Sequence, residues 1–195
     1  VEVPYNYYIC YVTLENKNLS HLPVYLLSED QMSRYAIYMA TLGNRPDLFP
    51  GSEYVGKYTE PPEGYEVPRE YLDDETFAAI LSEAEKYIGY PYVWGGSSPA
   101  TSFDCSGYVS WVINHSGWNV GRLGAQGLYN ICTPTSNPQP GDLVFFKGTY
   151  DTPGVSHCGI YVGDGRMLHC GDPIGYANLN TSYWQSHFYA YGRLP

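Results

Sequence analysis

From residue 74 onward, apolar positions recur at helical spacing. Phe77, Ile80, Leu81, Ala84, Tyr87 and Ile88 form one stripe, which predicts a helix over 74–88. Asp73 is placed to cap it, acidic residues fill its first turn, and Gly89 stops it. A loop dense in Gly, Ser and Pro follows over 89–104. Another helix is predicted over about 105–115, with Asp104 as cap and Gly117 beyond its end. After a long irregular region the pattern becomes β-like, with strands expected at about 142–147, 157–162, 166–170 and 187–193. Helices first and strands afterwards imply an α+β fold with an antiparallel sheet.

The chain before residue 74 reads differently. Residues 7–14 have the β-branched and aromatic character of a strand. Residues 29–42 read as a helix capped by Ser28, with Gln31 three residues on and Gly43 at its end. Residues 44–70 hold five prolines (Pro46, Pro50, Pro61, Pro62 and Pro68) and predict an extended linker wrapped on the surface. The expected organisation is a strand-helix arm or remnant of an upstream domain at 1–43, a Pro/Gly/Tyr-rich linker at 44–73, and a main domain at 74–195.

The segment from Ser156 to Cys170 predicts a hairpin, because two β-type runs flank Gly163-Asp164-Gly165. A two-residue turn at Asp164-Gly165 would put His157 and His169 on opposite faces. A three-residue loop over 163–165 pairs Val162 with Arg166 and sets Gly159 against His169. His157 then lies diagonally beside His169 on one face, within reach of it. The three-residue loop is the expected one, since a one-residue slip separates the histidines. Cys158 and Cys170 then oppose each other on the other face, as core thiols or, in a lesser alternative, as a cross-strand disulfide. The same alternation argues against a zinc site built from His157-Cys158 and His169-Cys170.

Composition narrows the classes. The chain has 195 residues, enough for one ordinary domain and a smaller piece, and 44% of them are apolar. Its formal charge of −10, with no basic run, argues against nucleic acid and anionic membrane surfaces. No apolar run approaches a membrane span. The start, Val1-Glu2-Val3-Pro4, has neither an initiator Met nor the features of a secretory leader, and reads as a mature product or a fragment. Five cysteines (Cys10, Cys105, Cys132, Cys158 and Cys170) leave at least one thiol unpaired within the chain.

Cys105 stands out among them. It opens a helix after a glycine-rich loop, where partial positive charge and free amide hydrogens stabilise a thiolate and can hold an oxyanion. With the two histidines this makes a nucleophile, a base and an orienter. Cys105 attacks a carbonyl carbon, His157 moves the proton, and His169 fixes the tautomer of His157. His21, His115 and His187 lack such company and are read as structural or surface residues.

Five motifs then carry a resemblance. They are Tyr87-Ile88-Gly89-Tyr90-Pro91-Tyr92-Val93-Trp94-Gly95-Gly96, Phe103-Asp104-Cys105-Ser106-Gly107, Pro140-Gly141-Asp142-Leu143-Val144-Phe145-Phe146, Ser156-His157-Cys158-Gly159-Ile160-Tyr161 and Leu168-His169. In this order they resemble the NlpC-type cell-wall cysteine peptidases, over about residues 75–195. The resemblance implies a papain-like fold, with the nucleophile at a helix N-terminus packed on an antiparallel sheet. It implies catalysis by Cys105, His157 and His169, substrate contacts at Tyr92, Asp104 and Ser106, and no metal or cofactor. The expected substrate is peptidoglycan, cut between D-γ-glutamate and the diamino acid of the stem peptide. The expected setting is the wall of a Gram-positive bacterium, and the expected state a monomer.

An amidase or acyltransferase on the same scaffold, and a non-catalytic wall-binding module, stay open as alternatives. The family often has an aliphatic residue after the catalytic His; here Cys158 stands there and is expected to face away from the site. The stretch 148–154 is longer than in minimal members and is expected to form a groove wall. The segment before residue 74 resembles the region preceding this domain in hydrolases carried by Gram-positive mobile elements.

Overall fold

A computed structural model describes residues 64–195. The strand and helix expected at 7–14 and 29–42, together with Cys10, His21 and most of the proline-rich stretch, lie outside the described residues. The described elements begin with a single 3-10 turn, Arg69–Asp73. Helix α1 (Glu75–Ala84) follows. Its cap is Asp74, one residue later than the sequence pattern placed it. The Asp74 Oδ1 accepts from the Thr76 and Phe77 amides at 2.9 and 3.1 Å, offsetting two of the donors a helix start leaves unpaired. Phe77, Ile80, Leu81 and Ala84 are its buried face, as the apolar stripe requires.

Two short strands, β1 (Ser97–Ser98) and β2 (Ser102–Phe103), form a small hairpin leading into helix α2 (Cys105–Asn114). Helix α2 is buried nearly all round, with Tyr108, Val109, Val112 and Ile113 fully enclosed. Its first turn lies directly on the preceding loop. A Cβ at Gly107 would collide with the Gly96 carbonyl, so a side chain there would push the nucleophile's helix off its support.

The region expected to be irregular contains helix α3 (Ala125–Ile131) and strand β3 (Thr133–Thr135). Then come β4 (Leu143–Lys147), β5 (Val155–Gly163), β6 (Arg166–His169), β7 (Gly175–Asn178), helix α4 (Ser182–His187) and β8 (Phe188–Arg193). All six strands from β3 on form one antiparallel sheet in the order β3-β8-β4-β5-β6-β7. The strands expected at 142–147, 157–162, 166–170 and 187–193 are therefore present, and β7 and α4 are additions. Short polar elements such as α4, with no buried residue, carry too weak an apolar pattern to be read from sequence.

The two faces of the sheet have different neighbours. Leu143, Phe145, Cys158, Ile160, Val162, Leu168 and Cys170 pack with α1 and α2 in the main core. Val144, Phe146 and Met167 pack on the other side with Leu179, Trp184, Tyr161 and Tyr191. Residues 64–73, from the stretch read as linker, pack on this domain. Val67 is buried in the main core, and the Tyr65 and Tyr71 hydroxyls both donate to the Asp164 carboxylate at 2.9 Å.

The tip of the β5–β6 hairpin corrects one expectation. Gly163 pairs with Arg166, so the turn is the two-residue Asp164-Gly165 form, with φ of 50° and 66° at those residues. Such a left-handed pair suits the right-handed twist of the strands. A bulge between Tyr161 and Gly163 then shifts the register by one residue, so that Tyr161 pairs with Met167 and Ile160 with Leu168. The register at the histidines is the one expected, but a bulge rather than a longer loop produces it. Gly159 faces His169, and a Cβ there would meet the Met167 sulfur at 2.9 Å and the His169 Cβ at 3.0 Å.

Candidate active site

Cys105 is the first residue of α2, and the Asp104 side chain caps that helix. Asp104 Oδ1 accepts from the Gly107 amide at 2.7 Å and from Ser106 Oγ at 3.0 Å. Its Oδ2 accepts from the Gly95 amide at 3.1 Å and from Arg122 Nη2 at 2.7 Å. Arg122 also donates to Ser106 Oγ at 3.0 Å. The carboxylate therefore welds the loop, the helix start and Arg122 into one unit. Asp104 and Ser106 lie beside the nucleophile, as the motif implies, and their polar atoms are engaged within the protein. Arg122 was not singled out in the sequence; its signal would have been a lone cation beyond a helix that begins with an acid.

His157 and His169 meet on one face of the hairpin, with Nε2 of His157 2.9 Å from Nδ1 of His169. This bond leaves Nδ1 of His157 for the thiol. Register slips between Phe146 and Lys147, where β5 begins, and an irregularity of this kind re-aims neighbouring side chains. There the His157 imidazole lies near enough to the Cys105 thiol for its charge to favour the thiolate. Trp184 of α4 stacks on His157 with ring centres 5.4 Å apart and meets His169 edge-on at 5.1 Å. Phe146 packs beside both, with ring centres 4.6 Å from Trp184 and 6.0 Å from His157. Sequence reasoning missed Trp184, because only tertiary packing brings residue 184 to residue 157.

The electrostatics separate the roles. A hydrogen bond from the Cys158 side chain holds the Cys105 thiol well below its usual range. The His157 charge and hydrogen bond and the Cys158 main-chain amide add to this, against the opposing effect of burial. Burial and the neighbouring His157 push His169 well below the usual imidazole range, so it stays neutral and can accept from His157. Burial, then the Cys105 and Asp104 charges, push the Tyr92 hydroxyl far up, so it keeps its proton as a donor. Burial also pushes the Cys132 thiol up to about 12, and Cys170 well above its ordinary value. Of the four described thiols, Cys105 alone is poised to ionise.

Cys158 corrects a second expectation. It does lie on the face away from the histidines, but that face packs on α2, so its thiol meets Cys105. Cys158 and Cys170 are free thiols, and Cys170 Sγ donates to the Phe103 carbonyl at 3.2 Å. Tyr150, from the 148–154 stretch, packs edge-on against Trp94 at 5.2 Å, and both rings are exposed (43% and 52%). His115 stacks on Trp111 at 4.1 Å and His187 ends α4, so neither joins the site.

A helix-start cysteine set against a histidine pair on an antiparallel sheet defines a papain-like α+β domain. Comparison with known proteins makes the assignment specific: the NlpC/P60 family profile matches residues 89–193. The chain belongs to the NlpC/P60 family. It is 43% identical over 121 residues to the bifunctional muramidase/DL-endopeptidase CwlT of Bacillus subtilis, covering 60% of this chain and 36% of that protein. It is 42% identical over 112 residues to the gamma-DL-glutamyl hydrolase of the same organism, covering 55% of this chain and 27% of that one. A lipoprotein-like NLP/P60 protein of Staphylococcus aureus superposes with a TM-score of 0.60 at 42% identity, over 72% of this chain and 46% of that one. The chain thus spans about a third or less of the curated relatives it matches. Among the described residues, no helix is long and apolar enough to cross a membrane.

Proposed function

We propose that this domain is a peptidoglycan hydrolase, a cysteine endopeptidase that cuts the D-γ-glutamyl-diamino acid bond of stem peptides through a thiol ester on Cys105. The observation that carries this reading is the bonded pair of His157 and His169 on the sheet, set against the helix start that bears Cys105. One nitrogen of His157 is fixed by His169 at 2.9 Å and the other is left for the sulfur. The names of the relatives, a DL-endopeptidase and a gamma-DL-glutamyl hydrolase, supply the bond type.

In this mechanism the Cys105 thiolate attacks the γ-carbonyl carbon. The oxyanion is held by main-chain amides at the start of α2 and by the Tyr92 hydroxyl. His157, protonated by the thiol, gives its proton to the leaving amine, then takes one from the water that cleaves the thiol ester. His169 stays neutral and orients. Asp104 and Ser106, stiffened by Arg122, form the wall beside the nucleophile on the substrate's N-terminal side. Trp94 and Tyr150 form the exposed rim. The reading places the chain at the wall of a Gram-positive bacterium, as its Bacillus and Listeria relatives support, and takes it to act as a monomer.

Digestion of a disaccharide-tetrapeptide muropeptide, followed by mass spectrometry, tests the proposal. The expected products are a disaccharide ending in L-Ala-D-Glu and a peptide beginning with the diamino acid. Cys105→Ala should leave the fold intact and lower the rate by several orders of magnitude, as loss of a triad nucleophile does. Unchanged substrate with Cys105 reduced would overturn the reading. Release of the whole stem, or its transfer to another amine, would replace it with the amidase or acyltransferase alternative.

A further inference from the structure

We propose that Trp94 and Tyr150 form a subsite for the muramic acid sugar that carries the stem peptide, so that the domain prefers sugar-bearing stems to bare peptides. The inference rests on the reading of the domain as a D-γ-glutamyl endopeptidase and deepens it by naming what the groove takes beyond the dipeptide.

Hydrogen bonds fix where the two rings stand. Trp94 belongs to the loop before α2. The next amide, that of Gly95, donates to Asp104 Oδ2 at 3.1 Å, and the Asp104 amide donates to the Gly96 carbonyl at 3.0 Å. Trp94 is therefore held one step from the helix start that bears Cys105. Tyr150 belongs to the loop between β4 and β5. Its neighbour Thr149 donates its amide to Ser156 Oγ at 3.0 Å, and the two hydroxyls lie 2.7 Å apart. Ser156 directly precedes His157. At the far end of the loop the Val155 amide donates to Gln126 Oε1 at 3.0 Å. Tyr150 is thus held from the side of the base. The two rings meet edge-on with centres 5.2 Å apart, one from each side of the groove.

Both rings are open to solvent, and Trp94 is the most exposed large apolar side chain among the described residues. The substrate's own connectivity supplies a cover for them. On the acyl side of the scissile bond come D-Glu, L-Ala and then the lactyl ether of the sugar. Two residues at about 3.5 Å each put the sugar roughly 7 Å or more beyond the scissile carbon, past Asp104 and Ser106. A pyranose has a C–H face that is apolar and slightly positive, which suits the negative face of an aromatic ring. Its hydroxyl edges stay in water at an open rim, so little polar surface is stripped of its partners. Charge agrees with this: a chain of net charge −10 gains nothing from an anionic wall, and uncharged rings recognise a sugar without needing attraction. Loops already anchored at their ends lose little further freedom when the sugar docks.

The test is binding to the full chain carrying Cys105→Ala, measured by titration calorimetry with two ligands. One is the disaccharide-tetrapeptide. The other is the same tetrapeptide with an acetylated amine, so that no added charge accompanies loss of the sugar. The expected result is about tenfold tighter binding of the sugar-bearing ligand, the size of one good apolar contact. Tyr150→Ala and Trp94→Leu, each added to Cys105→Ala, should bring that ratio close to one. Tyr150→Phe keeps the ring and should retain most of it. Equal affinities for the two ligands, or tighter binding of the bare peptide, would overturn the proposal. So would a ratio that survives both ring removals, or one that Tyr150→Phe abolishes as fully as Tyr150→Ala. If Trp94→Leu does not fold, the exposed Tyr150 decides alone. With Cys105 intact, the preference should appear as a lower KM for the sugar-bearing substrate with kcat little changed, because the sugar is held alike in ground and transition states. Binding needs no turnover, so the two ideas fail separately. A sugar preference with neither ligand cut sinks the endopeptidase reading, while cleavage of both with equal affinity sinks only this inference.

Discussion

The two faces of the β5–β6 hairpin solve opposite problems with the same alternation. One face carries polar rings that must be held at an angle. His157 and His169 are tied by a 2.9 Å bond and wedged by Trp184 and Phe146. The other face carries apolar groups and thiols that simply fill the core against α2. Chemistry arises where the two meet, at the start of β5, because the helix start reaches the strand there. The polar face depends on direction, so a small displacement matters. The apolar face depends on volume, so equal-sized replacements are better tolerated there.

That contrast can be broken on the polar side first. His157→Gln removes the base and should lower muropeptide turnover by about 10³–10⁴-fold, with the melting temperature nearly unchanged. A loss under tenfold would mean that another group moves the proton. His169→Asn should cost less, about 10- to 100-fold in kcat, because it orients rather than transfers.

It should also change the pH dependence of stability. Folding depresses the His169 value below that of a free imidazole, so below about pH 6.5 the unfolded chain binds a proton the folded one refuses. Stability should therefore fall as pH drops from about 6.5 toward the folded value. His169→Asn should flatten that slope in urea titrations. An unchanged slope would show that His169 titrates freely.

Trp184→Ala comes next. It should lower kcat severalfold and shift the acid limb of Cys105 alkylation upward, since the imidazolium loses an aromatic face. If stability drops but the alkylation profile stays, Trp184 only fills space. The smallest effect is expected at the hairpin tip. Asp164→Asn weakens the acceptor for Tyr65 and Tyr71, and limited proteolysis should then release residues 64–73 earlier, with activity kept. Lost activity would mean that this segment braces the histidines from a distance.

Much of this was legible in the residues. The stripe from Phe77 to Ala84, the acid before Cys105 and the β-type runs around 164 gave the helices, the nucleophile's place and the hairpin. Period and capping are local, so they survive without the partner elements. The turn at 164–165 misled, because a bulge can undo a turn's register at no visible cost in sequence. Cys158 misled for another reason. Alternation tells which face a residue takes but not what covers that face.

The sequence by itself determined helices α1 and α2, the strands β4, β5, β6 and β8, the placing of His157 and His169 on one face, and one cysteine at a helix start, since each follows from local periodicity and capping. Only the tertiary structure decided that α2 covers the Cys158 face, that Trp184 seals the histidines and that Arg122 locks Asp104. These contacts join residues far apart in the chain or on separate layers, and the close-packing of side chains between layers selects them.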